Sequence, residues 1–117
     1  MMKQLVCAIT VSAGFLLGNI AYAEPSVKSC AYLIDQAFFY HTYEAVCQYK
    51  PTVGTAMGER FDKQGCPKVL ADEQVKAIRD DVLARIKAEL KPENSLSGAE
   101  VFCLNHIDEY RNILSIQ

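Results

Sequence analysis

Apolar and polar positions along the chain divide it into an uninterrupted apolar stretch followed by four segments of helical period. From Leu5 to Leu17 the residues are almost all apolar or small, and Lys3 is the only charge before Glu24. Gly18-Asn19 interrupts that run, and Ala21-Tyr22-Ala23 follows with small residues at both positions a signal peptidase reads. A weakly positive start, a short apolar centre and a small-residue site in this order predict a cleavable secretory signal peptide over residues 1–23. A spanning helix needs roughly 20 apolar residues, more than this run supplies. Residues 24–117 are expected to form a single helical domain with no membrane association after cleavage.

Within that domain, residues 27–49 contain neither Gly nor Pro, and Ser26 can cap them. Projected at 100° per residue, Cys30, Leu33, Ile34, Ala37 and Phe38 share one broad side, while Tyr32, Phe39 and Tyr43 fall nearly opposite. A helix apolar on both sides is central to its fold. A second helix is expected over 51–64, with Pro51 in its first turn and Gly65-Pro67 ending it. Val53, Met57 and Phe61 form its apolar stripe, and Gly54 and Gly58 offer a second, small-residue face for close packing.

A third helix is expected over 73–90, capped by Asp72, with Val75, Ile78, Val82, Ile86 and Leu90 in line. Lys76 with Asp80, and Asp81 with Arg85, are spaced as i,i+4 pairs on its solvated face. Ser97-Gly98-Ala99-Glu100 reads as a capping box. It opens a fourth helix over 98–115, with Cys103, Leu104, Ile107, Tyr110 and Leu114 expected inward. Short connections between four such helices predict an all-α, antiparallel, up-and-down four-helix bundle.

The cysteines sharpen this picture. Five are present, and cleavage would remove Cys7, leaving Cys30, Cys47, Cys66 and Cys103. An even count in a short exported chain reads as two disulfides formed in an oxidising compartment. Cys30 and Cys47 stand roughly 25 Å apart along one helix, too far to bridge. Matching helix ends in an up-and-down bundle pairs Cys30 with Cys66 and Cys47 with Cys103.

Charge excludes one class of partner. The formal net charge is −2, and loss of Lys3 makes the domain more acidic still. With charges of both signs interspersed and no basic stripe, nucleic acid is not an expected partner. Chemistry is equally sparse. Cys103, His106 and Glu109 recur at i, i+3, i+6, but an oxidised Cys103 is no metal ligand, so neither metal nor cofactor is expected. His41 and Glu44 lie one turn apart without a third catalytic partner. No nucleophile elbow, phosphate loop or His-Glu-x-x-His motif occurs, and no enzymatic activity is expected.

What remains is an aromatic surplus. Either the third or fourth helix of the bundle covers Tyr32, Phe39 and Tyr43, or these three are the candidate interface for another protein, or for a second copy in a homodimer. The expected function is protein–protein binding by a periplasmic or secreted domain. By class-level analogy such proteins act as inhibitors, toxin-immunity proteins or accessory subunits. The alternatives are a secreted effector and a small-ligand or lipid carrier, the latter with a cavity near Phe38, Met57 and Phe61.

Overall fold

The computed structural model describes residues 25–116, all of whose regular elements are helical. The expected signal peptide, including Cys7, lies outside the described residues.

Helix α1 spans Val27–Cys47. Ser26 caps it, its side chain accepting the Ser29 N–H at 3.0 Å. Cys30, Leu33, Ala37, Tyr40 and Glu44 form a buried stripe at alternating three- and four-residue steps. Phe39 and Tyr43 are buried on an adjoining side. The helix stops two residues short of the expected Tyr49, because Gln48 turns left-handed at φ 62°. This lets the Tyr49 N–H donate to the Glu44 carbonyl at 2.8 Å and closes the helix end.

Helix α2, Val53–Lys63, starts two residues later than expected. Thr52 is its N-cap, and Pro51 precedes the cap instead of occupying the first turn. Gly65, at φ 79°, ends it as expected, and a 3-10 turn over Cys66–Lys68 follows. Of the two glycines, Gly54 alone serves close packing. A Cβ there would lie 2.6 Å from the His41 backbone, whereas one on Gly58 would meet nothing within 4 Å.

Helix α3, Asp72–Glu89, contains Asp72 within its first turn instead of as its cap. The N–H of Ala71 before it is held by the Gln74 side chain at 2.8 Å. Val82 and Ile86 are buried, with Val75, Ile78 and Leu90 packed against the core. Asp81 pairs with Arg85 at 3.1 Å, and Arg85 also reaches Asp35 on α1. Asp80 pairs with neighbouring Arg79 at 3.0 Å instead of with Lys76.

The fourth helical segment is two helices: α4, Gly98–Asn105, and α5, Ile107–Ser115. The capping box is present, with the Glu100 N–H on Ser97 Oγ at 3.1 Å and the Ser97 N–H on Glu100 Oε1 at 2.8 Å. Tyr110 is buried as expected and Ile107 is half-buried, but Leu104 is 60% and Leu114 40% exposed.

Helices α2, α3 and α4 all pack on α1. Two disulfides fasten the set: Cys30–Cys66 and Cys47–Cys103, with Cα–Cα distances of 5.5 and 5.8 Å. The first joins the start of α1 to the end of α2, so these helices run antiparallel. The second ties the end of α1 to α4. Helix α3 runs alongside α1 in the same sense, with Arg85 at Asp35 and Glu89 reaching the His106 ring that packs on Phe39. None of the described helices is long and apolar enough to cross a membrane.

Candidate functional site

Phe39 and Tyr43, two of the three aromatic residues of the candidate interface, are inside the protein. Tyr32 is 61% exposed, but Phe39 is buried and Tyr43 has no exposure. The reason is the covering α4–α5 segment. Phe102 lies 5.9 Å from Phe39 and 5.5 Å from Tyr43, ring centre to ring centre, and Tyr110 lies 5.1 Å from Tyr43. The Tyr43 hydroxyl donates to the Cys103 carbonyl at 2.8 Å, near a helix end where carbonyls lack intrahelical donors. This line is therefore the seam joining α1 to the last two helices.

Burial raises the Tyr43 phenol to about 12, with nearby Tyr49 adding to the effect and Arg111 opposing it. Tyr40 and Tyr110 are raised further. For both, burial is the first cause, followed by the adjacent carboxylate, Glu109 for Tyr40 and Glu44 for Tyr110.

Beneath the seam is a polar centre. Glu44 is 1% exposed. Its Oε2 accepts the N–H groups of Thr52 and Val53 at 3.0 and 2.8 Å and the Tyr110 hydroxyl at 2.7 Å. Its Oε1 accepts the Gly54 N–H at 3.3 Å. A carboxylate accepts and never donates, so four donors match its capacity. Three of them are the first, otherwise unpaired N–H groups of α2, where the helix dipole favours negative charge. Glu44 thus caps α2 from another helix. The Thr52 hydroxyl is used elsewhere, on the Lys50 carbonyl at 2.9 Å.

That centre fixes the walls of an open groove of about 320 Å³ between the α1–α2 corner and α5. Tyr49, Ile107, Tyr110 and Leu114 provide its apolar lining, with Lys50, Thr52 and Arg111 completing it. Tyr49 stacks on Tyr110 at 5.2 Å and is still 40% exposed. None of these residues was singled out as a site by the spacing along the chain. Phe38, Met57 and Phe61 belong instead to the packed core and line neither this groove nor the second cleft.

The second cleft, about 170 Å³, holds His106 with Gln36, Phe39, Tyr40, Arg85, Glu89 and Glu109. The ring nitrogens of His106 face two carboxylates, Glu89 at 2.7 Å and Glu109 at 3.3 Å. Their contacts bridge α3 to the α4–α5 break. Cys103, the third member of the spaced trio, is bonded to Cys47, and no group that could hold a metal ion occurs among the described residues. His41 is exposed while Glu44 is engaged in capping, so these two do not form an acid–base pair.

In comparisons with known proteins, the chain matches no family model, no curated sequence and no solved structure.

Proposed function

We propose that this chain is an exported binding protein, periplasmic or secreted, that engages another protein through the groove between the α1–α2 corner and α5. The observation that carries this reading is an exposed apolar lining on a rigid frame. Tyr49 and Leu114 are each 40% exposed, while the walls behind them are held by buried Glu44 and by the Cys47–Cys103 bond. Side chains fixed in advance lose little freedom on binding, which favours affinity. Two disulfides suit an oxidising compartment, in line with removal of residues 1–23 on export.

A small-ligand carrier is the second reading, because a groove of about 320 Å³ also falls at the lower end of small-molecule sites. The two are separated by placing a photo-crosslinking residue at Leu114, in the groove, or at Leu83, 43% exposed on α3. Irradiation in the exporting cell should join a discrete protein to the 114 variant alone. Equal products from both positions, or none, would refute the proposal. A product of twice the chain mass would identify the partner as a second copy. A bound small molecule in the native mass of the purified protein would favour the carrier.

A further inference from the structure

The charged residues lining the groove are of one sign. The chain is acidic overall, yet the groove's lining includes Lys50 and Arg111 and no carboxylate. Both cations are exposed, and among the described residues neither forms an ion pair. Glu44, buried behind Tyr110, directs its oxygens at Thr52, Val53, Gly54 and Tyr110. Its charge is matched there by the start of α2. What faces solvent is an apolar floor between two positive side chains, one contributed by the α1–α2 loop and the other by α5.

We infer that the groove receives an acidic protein segment: an aliphatic or aromatic side chain seated on Tyr49, Tyr110, Ile107 and Leu114, with flanking carboxylates on Lys50 and Arg111. This rests on the protein-binding reading above and specifies the partner's chemistry. A standard interface covers about 800 Å² per partner, more than a groove of this size offers. The groove therefore takes the anchor residue, where binding energy concentrates, while the two cations select the sign of its neighbours. Opposite charges at such a rim raise the association rate and discriminate against basic partners more than they add affinity.

The test is selection of a random dodecapeptide library displayed on phage against the folded, oxidised domain, in parallel with Lys50→Glu/Arg111→Glu. Both substituted positions are exposed, and unchanged thermal unfolding would establish that the variant folds. The wild type should enrich peptides with a large apolar residue within two positions of Asp or Glu. The double variant should enrich Lys or Arg at those same positions. A synthetic acidic peptide from the first pool should lose at least tenfold in affinity for the double variant, and should weaken as salt rises. Enrichment of apolar peptides with no charge preference, displaced by Leu114→Asp, would overturn the acidic assignment while leaving a protein-binding groove intact. No enrichment, or binding of dodecanoate without any peptide, would overturn both.

Discussion

Tyr110 and Glu44, 66 positions apart, share a 2.7 Å hydrogen bond in the buried interior. That single contact links the last helix to a carboxylate that also caps the second helix. It makes the α1–α2 corner and α5 one structural unit, and it stands directly behind the proposed groove.

Glu44→Ala should therefore be severe. It leaves three backbone N–H groups and a phenol without their acceptor, and removes a charge placed at a helix start. Each buried donor left without its acceptor costs about 1–3 kcal/mol. Tyr110→Phe keeps the ring stack on Tyr49 and loses only the hydroxyl, for about 1–2 kcal/mol. Urea unfolding of both variants, and of the pair combined, measures this. If Tyr110→Phe costs as much in the Glu44→Ala background as in wild type, the hydrogen bond is not the coupling.

Alkaline pH should unfold the protein through its buried phenols. Tyr43 is raised from 10.0 to about 12, and Tyr40 and Tyr110 are raised as well. A group that ionises later in the folded state than in the unfolded one leaves the native protein binding more protons above pH 10. The stability it contributes is complete below pH 10 and declines as pH rises from there through about 12. Melting temperatures taken at fixed ionic strength should be level near pH 8–9 and fall above 10. Tyrosinate absorbance should appear in two stages, exposed phenols first and buried ones together with unfolding. A single transition near pH 10 with the fold retained would contradict burial of these hydroxyls.

Much of the architecture can be read from spacing, because it depends on regular repeats. The absence of Gly and Pro over 27–47 and the stripe Val75, Ile78, Val82, Ile86 are local signals with one helical outcome. Helix ends then carry the cysteine pairing, because two thiols 17 residues apart on one helix cannot meet. The site is less legible. Glu44 is a charge, which a hydrophobicity pattern assigns to solvent. Its position does continue the stripe Cys30, Leu33, Ala37, Tyr40, eight residues ahead of the next helix cap, and that was the available signal. The break at His106 had no Gly or Pro to mark it; it coincides with contacts to Glu89 and Glu109, one of them 17 residues distant. Spacing along α1 leaves open whether Phe39 and Tyr43 face solvent or a neighbouring helix; the returning α4–α5 segment covers them.

Removing the Cys47–Cys103 bond as a Cys47→Ala/Cys103→Ala pair should loosen one end of the molecule selectively. The bond closes a loop with a sequence separation of 56, for which chain entropy gives about 4 kcal/mol. Helix α4 is short and α5 is held chiefly through Tyr110, so amide exchange should rise first over residues 98–115. The Cys30–Cys66 end, holding α2 on α1, should keep its protection. Uniform loss of protection over all the helices would show that the two ends do not open separately.

The two glycines of α2 provide an opposed pair of outcomes from one chemical change. Adding a methyl group at Gly54 places a carbon 2.6 Å from the His41 backbone, and main chain cannot move aside as a flexible side chain does. Helix α2 would have to withdraw from α1, disturbing the N–H groups that Glu44 holds. Gly54→Ala should cost about 1–3 kcal/mol, the usual range for overpacking. At Gly58 the same methyl meets nothing within 4 Å. There the dominant effect is helix propensity, and Gly58→Ala should stabilise by about 0.5–1 kcal/mol. Thermal unfolding of the two variants decides the matter by sign. Equal destabilisation by both would mean that Gly58 also faces a close neighbour, and a stabilised Gly54→Ala would mean that α1 and α2 are not in contact at His41.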